Sequence, residues 1–286
     1  MSEETDMGAR GRMEQHGMDF SLVEMYFHIS PEGMEEAVFQ LPAAEFRNKE
    51  AMQIALAAGG QMVQATGNEL AASFIGTSLC NACSVMLLMA AQYNRLLDLS
   101  MNNLTLQVEL HDDHAHLGYK IESLRWQDLP QEEPAWSGFL LARMTDYITN
   151  EVVPAVEAIA EHAGVKNAMI WSQYAYQLAF VRDFVQENEP RQEVLARFLR
   201  GYELVTEGIP AEAFNRKRNP FLMTSPRFVD NPWEPEKPIM LRSSCCMYNC
   251  RVGGEKCYNC PKMTHDEREI RKAQVLAELE KSTATA

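Results

Sequence analysis

The sequence predicts an α+β fold in which a mainly helical body carries a small antiparallel β-hairpin. Apolar residues recur at three- and four-residue steps through most of residues 43–97 and 140–202, which is the period of a helix with one buried face. Only residues 104–110 alternate regularly between apolar and polar side chains, as a half-buried strand does. Six prolines between Pro210 and Pro238 exclude a continuous helix in that stretch.

These patterns divide the chain into four parts. Residues 1–18 are rich in Gly, Glu and Met without a steady period and are predicted to form a flexible leader. Residues 19–208 form the α+β body, residues 209–242 a proline-rich connector, and residues 243–286 a C-terminal segment with a terminal helix. A chain of 286 residues with 46% hydrophobic residues can bury a sizeable core in one large domain or two smaller ones.

Composition limits the partners and the compartment. Forty acidic residues against 26 basic ones give a net charge of −14, which argues against nucleic acid as a partner. The acidic first residues are not followed by a secretory signal pattern, and an odd number of cysteines fits a reducing compartment, so we expect a cytoplasmic protein. No apolar run of roughly 18 residues is evident, so any contact with the inner membrane is expected to be peripheral.

In the first half of the body, two or three helices are predicted within residues 43–97, with an interruption at Gly59 and Gly60. Cys80 and Cys83 have the C-x-x-C spacing of a redox dithiol or of half a zinc site. A reactive dithiol normally sits exposed at a helix start after a strand, whereas this pair leads into an apolar helical face. We therefore interpret them as buried structural thiols.

The strand predicted at residues 104–110 should pair with residues 117–121. The connection between them, residues 111–116, contains three histidines and two aspartates, so a metal site has to be considered. A polar stretch between two apolar-patterned runs is more typical of a solvated hairpin loop, which is the interpretation adopted.

Three helical patterns follow. The first, at residues 140–148, should be kinked or ended by Pro154, and Gly164 should stop the short helix after it. The last, at residues 194–202, should stop near Gly208. The aromatic residues of these stripes are expected in the core. Trp171 is singled out as a possible contact for an organic ligand, because large aromatic faces suit such ligands. In the connector, Phe221, Phe228 and Trp233 are predicted to anchor an extended chain to the helices.

Five of the seven cysteines lie within residues 245–260, a density that indicates a bound metal or cluster more than packing. Four of them form the pattern C-C-x10-C-x2-C, with Cys250 outside it; they are Cys245, Cys246, Cys257 and Cys260. Structural zinc sites prefer two short knuckles, and only the second half complies. Adjacent cysteines diverge along an extended chain and suit two irons, so a [2Fe-2S] cluster is predicted, with zinc or disulfides as alternatives.

This motif, with Arg242 shortly before it and Pro261 directly after it, resembles that of the FhuF-like ferric-siderophore reductases. The resemblance covers about the last sixth of the chain. It implies a [2Fe-2S] cluster on the four cysteines of the pattern and a siderophore-binding portion before it. Cys250 has no counterpart in the family pattern.

Charge is unevenly distributed. Residues 209–262 contain nine Arg or Lys against five Asp or Glu, although the whole chain is acidic. This positive region either docks an acidic electron donor or an anionic chelate, or offsets the charge of four thiolates. Arg216, Lys217 and Arg218 are the residues most suited to contact a ligand or partner. After the cysteines, Thr264 to Glu267 match a capping box, so a helix should begin near His265 and run towards Leu279.

The function expected from these features is one-electron reduction of a ferric siderophore, of hydroxamate type, that releases iron(II) in the cytoplasm. Iron(II) is softer than iron(III) and binds hard oxygen donors less strongly. No glycine-rich dinucleotide fingerprint follows a strand, so a separate ferredoxin or flavin-containing reductase should supply the electron. Backbone N–H groups of Gly253 and Gly254 are expected to tune the cluster. The alternatives are a non-enzymatic zinc-binding adaptor and a cluster-bearing redox sensor.

Overall fold

A computed structural model describes residues 14–111 and 114–284. Its helices are α1 (Ser21–Phe27), α2 (Lys49–Met62), α3 (Asn68–Tyr93), α4 (Ala135–Tyr147), α5 (Val153–Ala163), α6 (Asn167–Asn188), α7 (Gln192–Glu203) and α8 (His265–Ala284). Its strands are β1 (Glu14–Gln15), β2 (Met18–Asp19), β3 (Ile29–Ser30), β4 (Ala37–Pro42), β5 (Arg95–Leu97), β6 (Leu104–His111), β7 (His114–Ile121), β8 (Trp126–Asp128), β9 (Phe228–Val229) and β10 (Ile239–Met240). The predicted α+β fold with a mainly helical body is confirmed.

Helix α3 is the centre of the body, because it is apolar almost all round and packs against α2, α5, α6 and α7. By length and composition alone this helix could cross a membrane, which corrects the expectation that no stretch is apolar enough. However, 83% of its most apolar window is buried inside the protein. It is therefore the core helix of the body, and its burial explains its composition.

The break predicted at Gly59 and Gly60 is wrong, since α2 continues through both glycines to Met62. Neighbouring helical residues and the side-chain cap of Asn48, which accepts hydrogen bonds from the first turn, outweigh the cost of two interior glycines. The chain turns instead over residues 63–67. Cys80 and Cys83 are both buried in α3, at 0% and 1% exposure, as predicted.

The predicted hairpin belongs to a four-stranded sheet with the strand order β3-β7-β6-β4. Strands β6 and β7 pair antiparallel, and Leu104 lies opposite Ile121. Strand β7 begins at His114, three residues before the predicted partner strand, so the predicted loop is largely replaced by paired backbone. Residues 112–113 and the side chains of His111 and His114 lie outside the described part of the chain. Strand β3 joins parallel to β7, a long-range pairing that no local pattern indicated.

The second helical group follows the predicted pattern. A π-turn at residues 148–152 joins α4 to α5, and Pro154 occupies the first turn of α5, where a missing N–H costs nothing. Gly164 ends α5 with the left-handed φ of 71° that a C-terminal glycine permits. Trp171, in α6, is 1% exposed and packs against Tyr174 and Phe214.

Both ends of the body differ in detail from the predictions. Residues 1–13 of the predicted leader lie outside the described residues, but the leader cannot extend to residue 18, because β1 pairs with β2 and Met18 is fully buried. Of the three anchors predicted in the connector, only Phe221 is buried. Phe228 and Trp233 are 55% and 50% exposed, although Trp233 contacts the ring of Tyr258.

The predicted capping box is confirmed. The Thr264 N–H donates to the Glu267 carboxylate at 2.7 Å, and the Glu267 N–H donates to Thr264 Oγ1 at 3.2 Å. Helix α8 begins at His265, as expected, and runs past Leu279 to Ala284. Arg268, near the start of the helix, donates to the carbonyl oxygens of Tyr258 and Cys260. These bonds fix the C-x2-C turn of the motif to the helix.

Candidate functional site

The cysteine segment, residues 242–260, lies against the helical body. On α6, the Ser243 hydroxyl donates to the Ser172 carbonyl at 2.6 Å and accepts from the Tyr176 N–H at 3.3 Å. On α3, the Ser73 hydroxyl reaches the carbonyl oxygen of Cys246 at 3.0 Å. These contacts come from residues about 70 to 170 positions earlier in the chain, so the site exists only in the folded protein.

A second docking point lies at the turn between α2 and α3. The Thr66 N–H donates to the carbonyl oxygen of Cys250 at 3.0 Å, and the Val252 N–H donates to the Gln64 carbonyl at 2.9 Å. Ala65 and Arg251, between these two hydrogen bonds, form an isolated antiparallel β-bridge. The turn that replaces the predicted glycine break in the helices is therefore a docking edge for the middle of the cysteine segment.

The four cysteines of the C-C-x10-C-x2-C pattern come together as two pairs. The sulfurs of Cys246 and Cys257 are 3.8 Å apart. Cys245 interacts with Cys260, whose thiol contributes, after burial, to raising the pKa of Cys245. Each member of the adjacent cysteine doublet therefore faces a different cysteine of the C-x2-C turn, as the divergence of neighbouring side chains in the sequence predicts.

Backbone N–H groups point at the doublet. The Met247 N–H donates to the sulfur of Cys245 at 3.4 Å, and the Tyr248 N–H donates to that of Cys246. Met247 has a left-handed φ of 62°, which lets consecutive N–H groups face one concave surface. Such a nest binds anions and is found at many iron-sulfur sites. The Gly254 N–H, by contrast, donates to the Arg251 carbonyl at 2.9 Å.

The pair favours a thiolate on Cys246 and a protonated thiol on Cys257, whose pKa is raised by its hydrogen bond to Cys246 and by burial. A hydrogen bond from Cys257 lowers the pKa of Cys246, and the nearby Arg242 guanidinium lowers it further, although burial opposes the charge. Burial also opposes the charge of Arg242, but the thiols of Cys246 and Cys257 and the Tyr176 hydroxyl outweigh it, so the pKa of Arg242 is raised. Arg242 lies over the Tyr176 ring at 5.1 Å and so holds a fixed positive charge beside the sulfurs.

The donor set fits a thiolate-bound metal group. Two sulfurs that share one tetrahedral metal ion at about 2.3 Å lie about 3.8 Å apart, which is the spacing of Cys246 and Cys257. A disulfide would need about 2.05 Å, and all seven cysteines are free thiols. Within the described residues, no three Cys, His, Asp or Glu side chains surround one metal-sized point. Two thiol pairs match the demand of two irons better than that of one zinc ion.

Cys250 stands apart from the two pairs. Its N–H donates to the Met247 carbonyl at 2.8 Å, and its carbonyl accepts from the Thr66 N–H. These hydrogen bonds hold its backbone at the docking edge. Across the described residues, no sulfur of another cysteine lies within hydrogen-bonding distance of its thiol. This placement agrees with its position outside the sequence pattern.

A cavity of about 390 Å³ opens onto one thiol pair. Its walls come from α3, α6 and the cysteine segment, and they combine three aromatic rings, four neutral polar side chains, one cation and two thiols: Phe74, Tyr176, Tyr248, Thr77, Gln173, Gln177, Ser244, Arg242, Cys246 and Cys257. The Oε1 atom of Gln177 is buried without a hydrogen-bond partner. A ligand in this cavity would reach the sulfurs directly, and we call it the thiol cavity.

The residues predicted to contact substrate line a second, larger cavity. Trp171, Arg216, Lys217 and Arg218 all border a groove of about 970 Å³ on the other side of Arg242. Trp171 contributes only an edge, because its ring is buried in the core. Arg242 lines both cavities and connects them.

Sequence reasoning missed several residues of the site. Arg242 could have been identified from the sequence, because it precedes the cysteine doublet in the motif. No sequence pattern indicated Ser73, Gln173 or Tyr176, since they lie on apolar-patterned helices and reach the cysteines only through packing.

Comparison with known proteins gives no match: no family model fits the chain, and no curated protein is significantly similar to it.

Proposed function

We propose that this protein reduces a ferric siderophore by one electron, in a reaction that depends on a [2Fe-2S] cluster bound by Cys245, Cys246, Cys257 and Cys260. The observation that carries the proposal is the arrangement of these four thiols as two pairs, one of which lies at the wall of a cavity. When bound, such a cluster accepts and donates one electron at a time. The resemblance of the motif to the FhuF-like reductases supports the same function.

The residues of this chain would prepare the site in three ways. The Arg242 guanidinium and the Tyr248 N–H favour the thiolate of Cys246, and the Met247 N–H donates to the sulfur of Cys245; thiolates are the form that binds metal. Helices α3 and α6 hold the segment in place through Ser73 and Ser243. The thiol cavity, whose walls come from α3, α6 and the cysteine segment, would let a chelate approach the Cys246 and Cys257 sulfurs.

The substrate chemistry follows from the change at iron. Iron(III) is hard and is held tightly by hydroxamate oxygens, whereas iron(II) is softer and holds them weakly. One electron per iron therefore suffices for release, and the vacated oxygens take up protons from water. The electron comes from a separate ferredoxin or flavin-containing reductase, since the sequence contains no dinucleotide fingerprint. A cytoplasmic location is part of the proposal, because seven free thiols suit a reducing compartment.

The test starts from the purified protein. Its visible spectrum and its iron, sulfide and zinc content identify the bound group. The protein is then reduced chemically and mixed with one equivalent of a ferric hydroxamate, and iron(II) is trapped with a ferrous chelator. We expect reoxidation of the protein with one iron(II) trapped per electron.

Three outcomes separate the alternatives. A colourless protein with zinc and no sulfide would favour a zinc-binding adaptor. A cluster that stays reduced with hydroxamate, catecholate and carboxylate chelates alike would favour a redox sensor. Cys257→Ser should abolish iron binding and reduction together, whereas the matched variant Cys250→Ser should retain both.

A further inference from the structure

The groove beside Arg242 differs from the rest of the surface in its charge. We define the cationic groove by its five basic residues: Arg216, Lys217, Arg218, Arg227 and Arg242. No aspartate or glutamate is among the described residues that line it. This is unusual in a protein of net charge −14, where acidic side chains outnumber basic ones.

None of the five cations forms an ion pair with a carboxylate in the part of the chain that the structure describes, whereas nearby lysines do. Lys237 pairs with Glu187 and Lys272 pairs with Asp230, each at 2.7 Å. Arg216 is instead held by the Asn167 side chain at 3.0 Å. Like charges held together without counter-charges repel one another, and a bound anion relieves that repulsion.

The shape of the groove indicates an organic anion. Its volume of about 970 Å³ is at the upper end of ligand sites, which span roughly 300–1,000 Å³. Apolar side chains line it beside the cations, among them Leu222, Met223 and the edge of Trp171. Thr224 and Ser225 add hydroxyl groups. A single inorganic ion would leave most of this surface without contacts.

The groove lies close to the thiols. Ser243 lines it, and Cys246 follows three residues later, so the two Cα atoms are at most about 11 Å apart even in a fully extended chain. Arg242 contacts the sulfur pair on one side and borders the groove on the other. A chelate bound in the groove would therefore lie next to the site of reduction.

We propose that the cationic groove binds the ferric chelate as an anion, that is, a hydroxamate siderophore that also carries carboxylates and has a net negative charge. This inference rests on the proposed function and names its substrate class. Reduction of iron(III) to iron(II) adds one negative charge to the chelate without making a bond. The groove cations stabilise the more negative reduced chelate more than the oxidised one, so they favour electron transfer as well as binding.

Gallium(III) complexes test binding without reduction, because gallium(III) has the charge and nearly the size of iron(III) but is not reduced. The full-length protein is titrated with the anionic gallium complex of a citrate-based dihydroxamate and with a neutral gallium trihydroxamate. We expect the anionic complex to bind more tightly, and its affinity to fall as salt is raised from low to physiological concentration. The metal-free chelator, titrated in parallel, should bind more weakly than its gallium complex.

The variant is Lys217→Gln/Arg218→Gln, in which both side chains are exposed and unpaired, so the fold should be unaffected. It should bind the anionic complex roughly tenfold more weakly, as expected for the loss of two exposed charge contacts, and bind the neutral complex unchanged. The matched control is Lys49→Gln/Arg197→Gln, which removes the same charge outside the groove. It should bind both complexes like the wild type.

Equal affinity for the two complexes, or equal affinity of variant and control for the anionic one, would overturn the inference while leaving the reductase proposal standing. A variant that binds gallium chelates normally but is reduced more slowly by an acidic donor protein would also overturn it, in favour of protein docking. The reverse case is separate: charge-dependent gallium binding without reduction of the iron(III) complex would refute the reductase function and keep the groove.

Discussion

Replacing Ser73 by Ala should loosen the cysteine segment without unfolding the helical body. The Ser73 hydroxyl is fully buried in α3. It reaches the Cys246 carbonyl at 3.0 Å and accepts from Gln173 Nε2 at 3.0 Å. It is thus a polar contact between the central helix and the cysteine doublet, and Ser73→Ala removes it with little change in volume.

The size of the effect follows from the groups left behind. Without the hydroxyl, the Cys246 carbonyl and one N–H of Gln173 lose a buried partner, which costs about 1–3 kcal/mol. If the segment opens as a local unit, this whole cost appears in its opening equilibrium. Opening should then become roughly 5- to 150-fold more frequent.

Amide hydrogen exchange measured by mass spectrometry resolves this. Peptides that cover residues 242–260 should exchange faster in Ser73→Ala by about that factor, while peptides from α6 should change little. The matched control is Ser78→Ala on the same helix. Its hydroxyl is also buried and bonds to Ile75 and Tyr119, each at 2.7 Å, but it does not touch the cysteine segment.

Equal exchange of residues 242–260 in the two variants would refute a docking role for Ser73. That result would mean that the segment opens only when the whole protein unfolds, and that Ser73 contributes no more to docking than any buried hydroxyl of α3.

Other variants test single features of the site and the core. Cys250→Ser should keep the iron content and visible spectrum that Cys257→Ser loses, because only the latter residue belongs to a thiol pair. The double variant Cys80→Ala/Cys83→Ala should lose about 1–3 kcal/mol in urea unfolding but keep the cluster. Burial raises the pKa of Cys83 to about 12, so the unfolded chain ionises first and stability should fall as pH rises above about 9, less steeply in the double variant. Gly76→Ala should destabilise by about 1–3 kcal/mol, since its Cβ would lie 2.5 Å from a side-chain carbon of α6.

Each of these has an outcome that would contradict it. Loss of iron in the Cys250 variant would place that thiol among the ligands. A folded, cluster-loaded double variant of α3 without turnover would show that the buried thiols take part in electron transfer. A Gly76 variant as stable as the wild type would mean that α3 and α6 can move apart at no cost.

Much of the site was accessible from local sequence. The adjacency of Cys245 and Cys246 predicted that their side chains diverge, and the capping box at Thr264 predicted the helix that holds the C-x2-C turn. The rule that glycine weakens a helix interior failed where packing was stronger. Helix α2 continues through Gly59, because its contacts with the core outweigh an intrinsic penalty of about 1 kcal/mol per glycine. Phe228 and Trp233 remain half exposed, since apolar character in a loop does not specify a partner surface.

The sequence by itself determined the elements whose causes are local: the helical periods, the hairpin strand, the caps and the spacing of the thiols. Only the tertiary structure decided that Ser73 and Tyr176, more than sixty residues before the cysteines, contact the cysteine segment. It also decided that five cations, without a carboxylate ion pair among the described residues, face one groove next to the thiols. The physical reason is that helix periods and caps depend on neighbours three or four residues away, whereas cavities and charge clusters depend on how distant elements pack, which no short pattern encodes.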